Sequence, residues 1–159
     1  MKEHKFFLIA IFFLSFGIIS CNDDDNLDDP NFISSNINEV NWYGKPEINI
    51  NPLNDTLSVL GYGNNQVVFF KIKYVGEGIY NLSGNQASYY TTVGGDVITS
   101  LYLLGESNTS QITITDFDSE QNIIRGNFQL SLQQDWSNPE NNIESLYFTN
   151  GKFKGIIND

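Results

Sequence analysis

The sequence predicts an all-β domain: a single antiparallel meander that forms a β-sandwich or a partly open barrel. From residue 39 onward, short alternating or apolar runs recur roughly every eight to twelve residues, separated by Gly, Asn and Asp. No 3.6-residue periodicity of apolar side chains follows residue 38. Strands and turns at this spacing are typical of sandwiches and barrels.

The clearest strand pair lies in residues 110–132. Its apolar side chains share one parity along each run and its polar side chains share the other, so a strand would bury Ile112, Ile114, Ile124, Phe128, Leu130 and Leu132. The polar residues DSEQN between the runs predict a β-hairpin. Gly126 is expected at a bulge or at a close approach of two backbones.

Two further segments follow the same rule. QVVFFKIKYV predicts a strand with its Lys side chains in water and four side chains inward, namely Val68, Phe70, Ile72 and Tyr74. GEGIYNLSG follows as a turn and a short strand. Near the end, SLYFTNGKFKGII changes parity between Phe148 and Phe153. A bulge at Asn150 and Gly151, with a Gly in left-handed geometry, would absorb the extra residue.

The first twenty residues read as an export signal. MKEHK supplies a positive segment, FFLIAIFFLSFGII an apolar one, and Ser20 the small residue expected before a cleavage site. The apolar run, at about 14 residues, is shorter than the roughly 18 that a spanning helix needs. We therefore expect residues 1–20 to be removed.

IISC, residues 18–21, resembles the lipobox of bacterial lipoproteins, in which the Cys thiol receives diacylglycerol before cleavage. The resemblance implies that Cys21 is lipidated and that a membrane is a partner through this anchor, since each buried methylene contributes about 0.8 kcal/mol. The alternative is an ordinary secretory signal with an incidental Cys.

The acidic run NDDDNLDD then resembles the stretch that follows the lipidated Cys in many surface lipoproteins of the Bacteroidota, where it addresses the protein to the outer face of the outer membrane. A solvated acidic spacer is the alternative. A calcium site on Asp23, Asp24 and Asp25 is a weak hypothesis because consecutive acids are not preorganised. Residues 21–38 are thus predicted to be a lipidated, disordered tether, and residues 39–159 the β domain.

Composition excludes several kinds of function. The net charge of −11, with eight basic residues scattered along the chain, argues against nucleic acid as a partner. His4, Met1 and Cys21 are the single residues of their types, so removal of the signal and lipidation leave neither a His nor a free thiol. Ser-His-Asp or Cys-His catalysis and Cys/His zinc sites are thereby excluded. We expect no enzyme activity and no cofactor beyond the covalent lipid.

DFDSEQN is a weak candidate for a metal site. Asp116, Asp118 and Glu120 provide carboxylates at alternate positions, as calcium loops do. However, Gln121 stands where such a loop needs Gly, and Asn127 where it needs a bidentate Glu. An acidic hairpin turn is the simpler interpretation.

Aromatic residues are candidates for stacking on sugar rings: Trp136 in QQDWSNPENN, the neighbours Trp42 and Tyr43, and the pair Tyr89 and Tyr90. Trp42 is expected to pack in the core or to close one end of it. Trp136 is the stronger candidate because it lies in a segment that reads as a long polar loop.

The pattern GxY.L, then I.G.F.L, then TNGKFKG is similar to small uncharacterised β-rich lipoprotein domains of the Bacteroidota over residues 39–157. That resemblance implies no activity and no functional residues. Three function classes follow: a surface-tethered binding module for a glycan or a protein, a structural lipoprotein that contacts other envelope proteins, and a hydrolase with two carboxylates about 5 to 10 Å apart. The sequence favours the binding module, by its aromatic residues.

Overall fold

The computed structural model describes residues 31–105 and 109–158. This part of the chain contains strands and turns and no helix, hence no helical segment long and apolar enough to cross a membrane. The all-β prediction is confirmed. The ten strands are β1 (Phe32–Ile37), β2 (Val40–Asn51), β3 (Thr56–Gly63), β4 (Gln66–Lys73), β5 (Gly78–Asn81), β6 (Ala87–Val93), β7 (Val97–Leu104), β8 (Gln111–Asp118), β9 (Ile123–Ser137) and β10 (Ser145–Asn158).

The strands form one sheet that closes on itself. Successive neighbours run β2-β3-β4-β6-β7-β9-β10, and β1 pairs antiparallel with both β10 and β2 and so completes the ring. β7 and β8 pair with different halves of β9, on the edge that β10 leaves free. β5 pairs with β8 as β6 pairs with β7. The chain therefore traces a mostly antiparallel meander in which the ring closes through β6 and β7, while β8 and β5 extend from the other half of β9 and β5 forms an edge among the described strands.

The two ends of the ring differ in which connections they carry. The proximal end holds the β2–β3 turn at 52–55 and the β8–β9 turn at 119–122. The distal end holds the β1–β2 turn at 38–39, the β3–β4 turn at 64–65, the β6–β7 turn at 94–96 and the β9–β10 connection at 138–144. β1 begins part of the way along the ring, opposite Gly44 and Lys154, with its N-terminus directed towards the proximal end.

Aromatic rings fill the interior of the ring. Phe70 lies 5.3 Å from Phe128 and 5.6 Å from Phe153 between ring centroids, and Tyr89 lies 5.5 Å from Phe148. Small closed sheets have an interior just wide enough for side chains to occupy. Each tilted or edge-on pair contributes about 0.5–1.5 kcal/mol beyond its area burial. The core therefore stabilises the ring without a disulfide among the described residues.

The hairpin predicted in residues 110–132 is confirmed. β8 and β9 pair from Asp118 opposite Ile123, and every side chain expected inward is buried. Gly126 is a close approach, as expected, since a Cβ there would lie 2.6 Å from the Phe153 ring and 2.6 Å from the Thr113 carbonyl oxygen. In β4, Val68, Phe70 and Ile72 are buried as predicted. Tyr74, the fourth side chain predicted inward, follows the last residue of β4 and is half-buried.

The predicted boundary at residue 39 is wrong. β1 begins at Phe32, and Ile33 is completely buried between the partners of this strand. Residues 32–38, predicted to belong to a disordered tether, therefore form a strand and the start of its turn. The interpretation failed because FISSNI has few apolar residues, while one Ile and two sets of ladder hydrogen bonds are enough to hold it.

The parity change in the last strand is confirmed with one difference. β10 shifts register against β9 between Phe148 and Gly151. The left-handed residue is Asn150, with a φ of 53°, and Gly151 has no positive φ. Gly151 is required for space instead, since a Cβ there would lie 2.5 Å from the Phe128 carbonyl oxygen.

Candidate functional site

A row of apolar side chains crosses the outer face of the sheet. In successive strands from β3 to β9, cross-strand neighbours are Tyr62, Val67, Tyr90, Leu101 and Trp136. In β4, β6 and β7, a side chain next to each of them in sequence is buried inside the ring, and in β3 Tyr62 has the opposite parity to the buried Leu57 and Val59. This row therefore faces outward. Tyr62 and Trp136 are each about two-fifths exposed, and the three residues between them are half-buried.

A second outward row lies next to the first, towards the proximal end. It consists of Leu60, Phe69, Ser88 and Leu103, again joined strand to strand. We call the apolar members of the two rows the apolar belt: Leu60, Tyr62, Val67, Phe69, Tyr90, Leu101, Leu103 and Trp136.

Polar side chains border the belt on its proximal side and at its two ends. Ser58 and Lys71 are paired on the proximal side. On β2, Lys45 and Glu47 lie opposite Tyr62 and Leu60, and on β9 Gln133 lies opposite Leu103. An apolar centre with a polar rim is the anatomy of a protein interface, and contiguous exposed apolar patches mark interaction sites.

Trp136 is exposed, but it is not in a loop. β9 continues through Ser137, and Trp136 pairs with Leu101 of β7. The side chain of Gln134 secures this end of the strand, since its Nε2 donates to Tyr102 Oη at 3.1 Å and to Asn141 Oδ1 at 2.8 Å. The polar residues around Trp136 therefore belong to the end of a strand and to the hydrogen bonds that hold it in place, not to a loop.

Trp42 and Tyr43, the other stacking candidates, are separated by the sheet. Trp42 is 4% exposed, and its Nε1 donates to the Gly63 carbonyl oxygen at 3.2 Å. It therefore packs in the core, as expected from the sequence. Tyr43 points outward and is largely exposed. The structure does not bring Trp42, Tyr43 and Trp136 together into one stacking surface.

Asp116 and Asp118, two of the three carboxylates considered for a metal site, make contacts within the fold. Asp116 forms an ion pair with Arg125. Asp118 Oδ1 accepts hydrogen bonds from the backbone N–H groups of Glu120 at 2.9 Å and Gln121 at 3.0 Å, which is the geometry of an Asx-type turn. Within the described ranges, no three His, Cys, Asp or Glu side chains are grouped so as to hold a metal ion.

Tyr89 is the described group whose titration burial affects most. Desolvation raises the pKa of its phenol far above the ordinary value, and the neighbouring Tyr102 adds to this effect. The phenol therefore stays protonated at neutral pH, and its ring packs edge-on against Tyr102 and Phe148.

The sequence contains a signal for the belt that strand parity alone misses. Three segments are apolar on both phases: VVFF in β4, YY in β6 and LYLL in β7. Only one phase of each can enter a closed ring, so the other must face outward. Because these strands are neighbours, the outward members form one surface.

Cys21, the predicted lipidation residue, lies outside the described residues, as do the signal segment and Asp23, Asp24 and Asp25. A family model described as Domain of unknown function (DUF6252) matches residues 30–156. Its start coincides with the start of the described domain rather than with residue 39. No curated protein and no solved structure matches the chain.

Proposed function

We propose that this chain, which belongs to the DUF6252 family of domains of unknown function, is a lipid-anchored binding module of the outer-membrane surface. Its ligand is a protein of the envelope that docks on the apolar belt. The observation that carries the proposal is the outward apolar row from Tyr62 to Trp136, together with the second row beside it.

The composition of the belt favours a protein over a glycan. Aliphatic side chains, Leu60, Val67, Leu101 and Leu103, lie among the rings, and they offer a sugar no face to stack on. Because the belt follows a closed sheet, it is convex, whereas small-molecule sites are concave. A partner protein can shape itself to a convex apolar ridge and bury it.

The position of the belt is compatible with the proposed anchor. The N-terminus of β1 is directed towards the proximal end, so a lipid on Cys21 would hold that end towards the membrane. Tyr62 lies two residues before the distal β3–β4 turn. The first row of the belt, from Tyr62 to Trp136, would then lie on the side away from the bilayer and remain accessible to a partner.

Site-specific photo-crosslinking on intact cells tests the proposal. A photoreactive residue would replace Trp136 in one variant and Tyr62 in another, in the full lipidated chain. Leu53 provides the matched control, because it is an apolar residue that is 93% exposed in the β2–β3 turn, away from the belt. We expect both belt positions to give the same crosslinked protein and position 53 not to give it.

Crosslinks of equal yield from position 53 would contradict docking on the belt. Crosslinks only between copies of this chain would replace the envelope partner by self-association. Absence of any crosslinked protein, from chains whose circular dichroism matches the unmodified protein, would refute the proposal.

A glycan ligand is the second candidate, favoured by the exposed ring of Trp136. A polysaccharide screen on the chain from residue 22 onward, with Trp136→Ala alongside, tests it. Binding that Trp136→Ala abolishes and Leu53→Ala leaves unchanged would support this candidate, and a negative screen with folded protein would exclude it.

The anchor is tested separately. Cys21→Ser should release the protein from the membrane fraction and leave its signal unprocessed; a variant that remains membrane-bound and labelled by fatty acid would contradict lipidation at this residue. Deletion of residues 23–25 should reduce protease accessibility on intact cells. Unchanged accessibility would show that these aspartates are not an export address.

A further inference from the structure

Half of the basic residues that the structure describes line one groove. Six Lys and Arg residues occur among the described residues, and three of them, Arg125, Lys152 and Lys154, line a surface groove of about 330 Å³ between β1, β8, β9 and β10. None of the groove's lining residues is acidic. The groove is therefore a local positive site on a protein whose net charge is −11.

The sheet register sets these cations against one another. Lys154 lies directly opposite Arg125 in the β9–β10 ladder, and Lys152 follows on the same face two residues earlier. Like charges directly opposite each other in a sheet are destabilising. Asp116 accepts from one Arg125 nitrogen, and this is the one ion pair within residues 31–105 and 109–158. A bound anion would offset the remaining repulsion.

Unpaired donors strengthen the case for an anion. Lys154 points outward from the sheet and is only 6% exposed, so its aliphatic stem is buried. No buried side-chain nitrogen among the described residues lacks a hydrogen-bond partner, so the Lys154 Nζ lies at the surface of the groove, where an anion can reach it. Arg125 carries five N–H donors in a fork that matches an oxyanion, and Asp116 uses only one of those nitrogens among the described contacts.

Neutral groups in the same groove indicate the kind of molecule to which the anionic group belongs. Phe32 provides an aromatic ring, Thr115 a hydroxyl and Asn127 an amide, and all three line the groove beside the cations. Rings stack on the apolar face of a sugar, while amides and hydroxyls bond its hydroxyl groups. We propose that this groove binds an acidic sugar residue, such as a uronate or a sulfated sugar, through its carboxylate or sulfate. The site shares no residue with the apolar belt, so it stands whether or not a partner docks there.

Calorimetric titration of the chain from residue 22 onward, which retains every described strand, tests the proposal. The probes are a uronic-acid trisaccharide, the same trisaccharide methyl-esterified, and inorganic phosphate. The variants are Lys152→Gln and, as a control with the same loss of charge, Lys73→Gln on the exposed face of β4. We expect the acidic trisaccharide to bind, the ester to bind at least about tenfold more weakly, and Lys152→Gln to lose about tenfold in affinity while Lys73→Gln changes little.

A second form of the chain, with the five aspartates of residues 22–29 changed to Asn, shows whether that segment competes for the groove. Binding of the trisaccharide in either form supports the proposal. No binding in both forms, equal binding of the ester, or equal losses in Lys152→Gln and Lys73→Gln would overturn it. Phosphate that binds as tightly as the trisaccharide would assign the groove to a free anion rather than to a sugar.

Discussion

Removal of β1 should unfold the domain. A chain that starts at residue 39 keeps every other strand, whereas a chain that starts at residue 31 keeps the whole ring. We expect the longer chain to unfold cooperatively, with the same urea midpoint as a chain from residue 22. We expect the shorter chain to lose its cooperative transition, because β2 and β10 would then be joined only at Ile48–Ile157 and Asn49–Asn158.

The magnitude follows from what β1 contributes. Ile33 is fully buried, which is worth about 2–3 kcal/mol. Its strand has five register partners on β10 and five on β2, and each ladder hydrogen bond contributes on the order of 1 kcal/mol net. Ser35 Oγ also donates to the Thr149 carbonyl oxygen at 3.0 Å. The gross loss is on the order of 10 kcal/mol, comparable to the whole stability of a typical domain.

The assay is urea unfolding followed by far-ultraviolet circular dichroism and by tryptophan fluorescence in a Trp136→Phe background, so that the emission reports on Trp42, which is buried and lies opposite Ser35 of β1. The chain from residue 39 should show a red-shifted emission at zero urea and no sigmoidal transition. A transition with the midpoint and slope of the longer chains would refute the argument that β1 closes the ring.

Three further predictions concern stability. Gly126→Ala should lower the free energy of unfolding by about 1–3 kcal/mol in urea titration, because the new Cβ meets the Phe153 ring and a backbone oxygen at 2.6 Å; an unchanged midpoint would contradict the close approach. Asn150→Val should cost about 1–3 kcal/mol, since a β-branched residue is strained at a φ of 53°, while Asn150→Gly should cost less; equal losses would argue against strain. Burial raises the pKa of Tyr89 in the folded state, so stability is complete below the unfolded value of about 10 and falls as pH rises above it. Tyr89→Phe should flatten that alkaline decline in urea midpoints measured from pH 8 to 11, and an identical decline in both proteins would exclude Tyr89 as its source.

The elements that the sequence predicts well are those whose local pattern and tertiary role agree. In β8 and β9 the alternation of apolar and polar residues places Ile112, Ile114 and Phe128 inward with no knowledge of their partners. The parity change around Asn150 similarly reveals a bulge, because a strand that keeps one face buried has no other way to change phase.

The elements that the sequence does not reveal depend on partners distant along the chain. β1 has one fully buried Ile, and its other support comes from backbone ladders to β2 and to β10, more than 100 residues away. Trp136 looks like a loop residue until Leu101 is known to pair with it. The belt and the groove likewise combine side chains from strands that are neighbours only in the ring.

Because side chains fill the interior of the ring, we expect ligands to bind on its outer face. Closed sheets that carry a ligand internally need space at the centre, and here Phe70, Phe128, Phe148 and Phe153 occupy it. Outward positions are then free to differ from strand to strand, because the core does not constrain them. β3, β4, β6 and β7 use those positions for apolar side chains, while β9 and β10 use theirs for Arg125, Lys152 and Lys154. The two surfaces can therefore change independently, and variants in one should leave binding at the other unaltered.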